Sequence, residues 1–298
     1  MLPAFLTTIL WSLSVISARR SIAAVGIVRA NLTRLLLAVV VLGLYAHTLG
    51  SGFHHAGTGW FLLSGLVGMG LGDIAQFYAL PLVGARLGIL LSQCLAAPIA
   101  ALAEWLWLGT TLSVAQVVWS SVILAGVAVA FFPEKRTATP VRPLGIVLGV
   151  LSAAGQGLGA VLSRKANDAA TLAGQATDGI SAAYLRILGG LVLSAVFFAL
   201  WKQVAPAATH RAAPAARPVW RDYRWVVSNA LCGAILGVSC YQWALRTTPS
   251  GVVLPIVACT PLVIVPFSYW LEGERPGRRS LAGALVAVLG AVALARVR

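Results

Sequence analysis

Long apolar runs alternate with short polar connectors along the whole chain. A helix needs about 20 consecutive, mostly apolar residues to cross a hydrocarbon core about 30 Å thick, where its backbone groups must be satisfied internally. The strands of a membrane barrel would instead alternate apolar and polar residues, and these runs do not. The pattern therefore predicts ten transmembrane helices. They cover residues 3–18, 27–46, 59–80, 85–108, 113–132, 144–163, 179–201, 224–245, 250–271 and 279–295.

The connectors leave no room for a soluble domain. The longest, residues 202–223, is an Ala, Pro and Arg segment with too few apolar residues to pack. The first run is not expected to be a cleaved signal peptide, because Arg19 and Arg20 follow it where small residues would mark a cleavage site.

The two halves of the chain resemble each other. A shift of 165 residues places Gly72 on Gly237, and a shift of 163 places Pro98 on Pro261. Self-similarity at this scale is typical of transporters built from two related halves.

Each half holds five predicted helices. Because five is an odd number, the second half enters the membrane with the opposite orientation to the first. We therefore expect an all-α membrane protein with ten transmembrane helices as two inverted five-helix repeats, over residues 1–133 and 143–298. Such a pair places a solute site near the midplane and exposes it to the two sides in turn.

Two segments carry a resemblance to a known family. DIAQFYALPLVGARLGILLSQCLAAPIAALAEWLWLG begins at Asp73, and SCYQWALRTTPSGVVLPIVACTPLVIVPFSYWLEGERPG begins at Ser239. Both resemble the EamA-type repeat of the drug/metabolite transporter superfamily. The resemblance implies ten helices around a central cavity, lined mainly by the third, fourth, eighth and ninth helices and by parts of the first and sixth. In the first half, Gly109-Thr110-Thr111 departs from the Gly-Glu-Arg turn that the second half keeps at residues 273–275.

Composition agrees with a membrane protein, since 59% of the 298 residues are hydrophobic and only 10% are charged. The net charge of +14 does not indicate nucleic-acid binding, because the arginines lie at the ends of apolar runs, where they meet lipid headgroups. The cysteines lack metal-ligand spacing, and no catalytic or nucleotide-binding motif is present. We expect no enzyme activity, no catalytic residue, no metal and no cofactor.

Basic residues are unequally divided between the two membrane faces. Fifteen lie on one face and five on the face that holds both termini, with Arg34 and Arg186 set aside as intramembrane. The positive-inside rule therefore favours termini outside the cytoplasm, whereas the family resemblance implies termini inside it.

Among the ionisable residues within the predicted helices, four stand out: Arg34, Asp73, Glu104 and Arg186. Because a charge at the bilayer centre costs about 2.5 to 3.5 kcal/mol, each is a candidate for coupling or another intramembrane function. Asp73 either couples transport to protons or pairs with Arg34 or nearby backbone. Glu104 either faces the cavity or reaches to the interface. The matched arginines are interpreted as anchors against carbonyls or acidic partners.

Amide and aromatic side chains on the cavity-lining helices are the candidate substrate-binding residues, and such groups suit amino-acid-like metabolites. They are Gln76, Tyr78, Gln93, Gln156, Tyr241, Gln242 and Trp243. Pro98 and Pro261 interrupt their helices and are candidate hinges.

These observations predict a secondary transporter that exports small metabolites such as amino acids across a bacterial plasma (inner) membrane by alternating access, with proton coupling through Asp73 as one mechanism. A membrane-embedded enzyme or a lipid scramblase is the alternative. The expected partners are a small-molecule substrate and membrane lipids but no nucleic acid, and the chain acts as a monomer or a homodimer.

Overall fold

The computed structural model describes residues 1–25, 27–83, 85–131, 141–204, 223–264 and 277–297. Within these ranges the chain forms ten membrane helices joined by short connections. The helices are α1 (Leu2–Val25), α2 (Ile27–Thr48), α3 (Thr58–Gly65, Leu66–Gly72 and Asp73–Val83), α4 (Ala85–Leu108), α5 (Val114–Phe131), α6 (Pro143–Leu172), α7 (Gly179–Val204), α8 (Tyr223–Thr247), α9 (Ser250–Ile264) and α10 (Arg278–Arg296).

Eight of these helices are long and apolar enough to cross a membrane, and the described parts of α5 and α9 are shorter apolar helices. The chain is therefore an all-α, multi-pass membrane protein, as the apolar runs predict. Two boundaries differ clearly, because α1 continues to Val25 and α6 to Leu172, where the sequence pattern ends these helices at Ala18 and Ser163. The charged residues that follow Ser163 extend the helix, and Arg164 finds an ion-pair partner there.

The predicted connector 202–223, the end of the ninth predicted helix and the Gly-Glu-Arg turn at 273–275 lie wholly or mostly outside the described residues. Successive helices run in opposite directions, so both termini share one side of the membrane. We call this side the terminal face.

Helix packing follows the two-repeat pattern. Helix α2 packs on α7, α4 on α9, and α5 on α10, so equivalent helices of the two halves meet each other. Helix α1 packs against α8 and α9, and its counterpart α6 packs against α3 and α4 in the same way. The confirmed fold is two inverted five-helix repeats.

Helices α3 and α8 each contain a π-helical segment at matching positions. The segments are Leu66–Gly72 and Ala230–Gly237, and a shift of 165 residues superimposes the glycines that end them. A π segment adds an extra residue to a helical turn and is common at functional sites. Here it directly precedes Asp73 in α3 and Val238 in α8, so it sets the direction in which the following turn projects.

Glycines bring α3 and α6 into close contact. A Cβ added to Gly155 would lie 2.7 Å from the Cα of Gly72, and one added to Gly159 would lie 3.0 Å from the Cα of Gly68. Small residues four apart let the backbones of membrane helices approach this closely. This glycine seam, formed by Gly68, Gly72, Gly155 and Gly159, joins the first half to the second.

We expect Gly155→Ala to lower the melting temperature of the purified protein by several degrees, because α3 and α6 must move apart to admit the methyl group. Overpacking of this kind costs about 1 to 3 kcal/mol. Thermal unfolding in detergent, followed by tryptophan fluorescence, measures the effect. The matched control is Gly59→Ala on α3, where an added Cβ meets no atom within 4 Å. Equal melting temperatures for the two variants would contradict a tight seam.

Candidate functional site

Arg186 is the most deeply buried cation among the described residues, with 2% of its surface exposed. It lies on α7, two turns from the terminal face. Its Nη1 atom donates hydrogen bonds to the hydroxyls of Ser64 and Ser163, at 2.7 and 3.0 Å, and to the carbonyl of Gly159 at 3.0 Å. One guanidinium nitrogen therefore joins α7 to α3 and α6, at the end of the glycine seam.

An aromatic pair lies on the other side of this guanidinium. The Arg186 Cζ atom lies 5.3 Å from the centroid of the Tyr241 ring on α8, within the range of a cation–π interaction. The Trp11 ring of α1 lies 5.3 Å from the same tyrosine, and its Nε1 donates to the carbonyl of Gly233. The Tyr241 hydroxyl is buried and has no hydrogen-bond partner among the described residues. The Arg186 cluster, formed by Arg186, Ser64, Ser163, Gly159 and Tyr241, thus combines helices of both halves.

A second polar cluster lies farther along the glycine seam, towards the opposite face. The Asp73 carboxylate lies 3.8 Å from Nη2 of Arg34 and accepts a hydrogen bond from Nε2 of Gln156 at 3.4 Å. Arg34 Nε also donates to Oδ1 of Asn31 at 2.9 Å. The Asp73 side chain is 26% exposed, so the carboxylate is not fully enclosed by the described residues. Asp73 therefore adopts the pairing with Arg34 that the sequence left open beside proton coupling.

Gln76 and Gln242 are close in the chain to these clusters and carry unsatisfied polar atoms. The Oε1 atom of Gln76 and both side-chain polar atoms of Gln242 are buried without a hydrogen-bond partner among the described residues. Native proteins leave few buried polar groups unpaired, so each such group calls for a missing partner.

The structure does not gather the remaining candidates at one place. Tyr78 is 37% exposed and stacks edge-on against Phe197 of α7. Trp243 is 49% exposed and lines a cavity of about 400 Å³ between α2, α7 and α8. Gln93 is partly buried on α4. Tyr78 and Trp243 are thus exposed, whereas Tyr241 and Gln242 are buried.

Glu104 forms a third cluster at the terminal face. Only 2% of its surface is exposed, and its Oε1 accepts a hydrogen bond from Nε of Arg164 on α6 at 3.0 Å. Its Oε2 accepts hydrogen bonds from the backbone and the hydroxyl of Ser250, at the start of α9. Glu104 therefore neither faces lipid headgroups nor stands alone, because it caps α9 and pairs with a cation of the other half.

Arg164 extends this cluster to α8. Its Nη1 donates to the carbonyls of Leu245 and Arg246, at 3.0 and 3.4 Å, in the last turn of that helix. A cation at a helix C-terminus and an anion at a helix N-terminus are both favourable positions. The terminal-face cluster, formed by Glu104, Arg164, Ser250 and Leu245, ties α4 to α6, α8 and α9.

The two candidate hinges behave differently. Pro261 has no N–H to donate to the Val257 carbonyl, and the α-helix is interrupted just before it, at Ala258 and Cys259. The Val257 carbonyl instead accepts a hydrogen bond from the Thr260 hydroxyl at 2.6 Å. Pro98 lies within a continuous α4, where it lines a cavity of about 460 Å³ between α4, α5 and α9. The broken helix α9 also receives hydrogen bonds from α1, including Ser12 Oγ to the Thr260 carbonyl at 2.9 Å.

Sequence reasoning missed the serines and Arg164, which complete the clusters. Ser64 and Ser163 are ordinary small residues in apolar runs, and only their approach to Arg186 gives them a function. Arg164 had a detectable signal, because counting helices places it on the same membrane face as Glu104 with the opposite charge.

Comparisons with known proteins agree with this architecture. The model of the EamA-like transporter family matches residues 1–132 and 143–296. A solved crystal structure is similar to this chain with a TM-score of 0.77 and 16% sequence identity, and the match covers 99% of this chain and 95% of the other. At this identity the likeness concerns the fold alone. A search of curated proteins finds no match.

Proposed function

Because the chain belongs to the EamA-like transporter family, we propose that it is a secondary transporter that exports small metabolites such as amino acids across a bacterial plasma membrane by alternating access. The family establishes the coarser statement, a membrane transporter of small molecules. The substrate class and the driving force are our inference from the clusters described above, and export is the direction that we predict from the sequence.

The observation that carries this proposal is the set of unpaired polar atoms between the two halves. Gln76 on α3, and Tyr241 and Gln242 on α8, hold buried polar atoms without partners among the described residues. These helices belong to opposite halves, where inverted-repeat transporters bind their solutes. Amide and phenol groups offer both donors and acceptors, so they suit a small solute with polar and apolar parts.

Alternating access requires contacts that close one face and break when it opens. The terminal-face cluster supplies such contacts, because Glu104 of the first half pairs with Arg164 and Ser250 of the second. The interruption of helix α9 provides a hinge next to this cluster. In this conformation the terminal face is held closed, and opening it requires the two halves to separate at Glu104.

Proton coupling through Asp73 fits its surroundings. The carboxylate faces Arg34 from α2 and Gln156 from α6, and it also lies within the electrostatic influence of Arg186. Protonation would release Arg34, whereas ionisation would restore the pair. A proton can therefore change a contact between helices at this position, which is what coupling needs.

We expect reconstituted vesicles to carry a flux of small metabolites that empty vesicles lack. The vesicles are loaded with a mixture of amino acids and related metabolites, a pH gradient is imposed, and the internal and external pools are measured by mass spectrometry. Loss of selected solutes against their gradient would support secondary export. Absence of flux for every solute, together with rapid lipid flipping, would replace transport by scrambling.

A further inference from the structure

The two halves treat their buried arginines differently. Arg34 on α2 and Arg186 on α7 occupy the second helix of their repeats. In the first half Arg34 has a carboxylate partner, Asp73, at 3.8 Å. The shift of 165 residues that superimposes the π segments places Val238 at the position of Asp73. The second half therefore keeps the cation and has a neutral valine at the position where the first half has its anion.

Arg186 is consequently a buried cation without a carboxylate in contact among the described residues; Asp73, which pairs with Arg34, acts on it only at longer range. The described residues provide no carboxylate within 4 Å of it, since their ion pairs join Arg34 to Asp73 and Arg164 to Glu104. Its three hydrogen bonds to described residues all come from Nη1 and go to neutral acceptors. Neutral acceptors and an aromatic face ease the burial of the charge but do not cancel it.

Donors that lack acceptors lie beside this charge. The Tyr241 hydroxyl is buried without a hydrogen-bond partner among the described residues, one turn beyond Val238 on α8. The Nη2 and Nε atoms of Arg186 make no hydrogen bond to the described residues. Nη2 also lies where a Cβ on Gly68 would approach it to 2.7 Å, so the glycine leaves this side of the guanidinium uncovered.

We propose that Arg186 and Tyr241 bind a carboxylate group of the transported substrate, which supplies the counter-ion that Asp73 supplies to Arg34. This inference rests on the proposed function and narrows its substrate class to carboxylates with a single negative charge at this site. One guanidinium balances one negative charge, and its remaining donors match the two oxygens of a carboxylate. Arg186 and Tyr241 both lie in the second half, whereas α3 of the first half lies against the guanidinium through Ser64 and Gly68, so movement of the two halves covers and uncovers the site.

The first test compares substrates on the unmodified protein. Vesicles are loaded with the common L-amino acids, their amides, the corresponding amines and aminophosphonate analogues. We expect the acids to move at least about tenfold faster than their amides, because a charged hydrogen bond is worth about 1.5 to 3 kcal/mol. Equal flux of acids and amides would overturn the carboxylate site while leaving the transporter intact. Preference for the phosphonates would overturn the single-charge assignment. If no solute moves, the proposed function itself fails.

The second test installs the missing anion. Val238→Asp should give Arg186 an internal partner, as Asp73 gives Arg34, and reduce amino-acid flux at least about tenfold by competition with the substrate. Val238→Asn, similar in size and uncharged, is the matched control and should retain flux. The melting temperature of each variant is measured to check that it folds. Undiminished amino-acid flux in a folded Val238→Asp variant would contradict the proposal.

The third test removes the donors. Arg186→Gln should abolish preference for acids over amides, Arg186→Lys should keep part of it, and Tyr241→Phe should weaken it because the ring stays and the hydroxyl is lost. The acid-to-amide ratio is measured, since a purely structural role would lower both fluxes together. An unchanged ratio in Arg186→Gln would place the carboxylate elsewhere.

Discussion

Asp73→Asn should abolish flux driven by a pH gradient while the protein stays folded. Asparagine has nearly the same shape, still accepts the hydrogen bond from Gln156, and cannot gain or lose a proton. Arg34 keeps its hydrogen bond to Asn31. We expect accumulation driven by a pH gradient to fall at least about tenfold, the equivalent of about 1.4 kcal/mol of coupling. Exchange of labelled for unlabelled solute without a gradient should continue, because it requires no net proton movement.

The controls separate the proton from the ion pair. Asp73→Glu retains an ionisable group and should retain pH-driven flux, at a reduced rate because the longer side chain displaces Arg34. Arg34→Gln removes the partner but leaves the carboxylate, so it should shift the pH range of transport without removing its pH dependence. Unchanged, pH-driven accumulation in Asp73→Asn would exclude Asp73 from coupling and leave it as a structural partner of Arg34.

The sequence predicted the helices and the repeat because both depend on patterns that span many residues. An apolar run of about 20 residues has few ways to be stable outside a membrane. The repeat was visible in aligned glycines and prolines, and the glycines reappear at the ends of the two π segments. The π segments themselves were not predictable, since a run such as LVGMGLG is compatible with an ordinary α-helix.

The polar clusters were predictable only in part. The Asp73–Arg34 pair was one of two interpretations, because the sequence places an acid and a base in neighbouring helices without giving their distance. Glu104 precedes Trp105 and sits near a helix end, which is typical of an interfacial residue. Its burial depends on Arg164, which is 60 positions away in the other half. Contacts of this range follow from helix packing, and no local pattern encodes them.

The Glu104–Arg164 ion pair joins the two halves and is buried, so breaking it costs more than breaking an ion pair on the surface. The Arg164 side chain is 14% exposed and the Glu104 side chain is 2% exposed, so water screens the pair weakly. Removing one partner of a buried pair costs about 3 to 5 kcal/mol, because the other charge stays behind. In a two-state transporter only the conformation with the closed terminal face contains this pair. Removing one partner therefore destabilises that conformation and shifts the population towards the open terminal face.

We therefore expect Glu104→Gln to open the terminal face. A cysteine placed at Ala244, which is 2% exposed and precedes Leu245 of the cluster, reports the opening. In a variant without its native cysteines, its labelling by a polar maleimide should speed up at least about tenfold, since each 1.4 kcal/mol changes an equilibrium constant tenfold. Transport should slow because the closed state forms less often, and the melting temperature should fall.

The matched control is Asp168→Asn on α6, which removes an acid one turn from Arg164 that makes no hydrogen bond or ion pair with the cluster. Its labelling rate at position 244 should equal that of the parent, because no hydrogen bond or ion pair joins Asp168 to Glu104 or Arg164. Arg164→Gln should reproduce the opening, since it breaks the same pair from the other half. If Glu104→Gln slows transport but leaves labelling at the parental rate, the terminal face stays closed without the pair. Glu104 would then act on the substrate or on protons and not on closure.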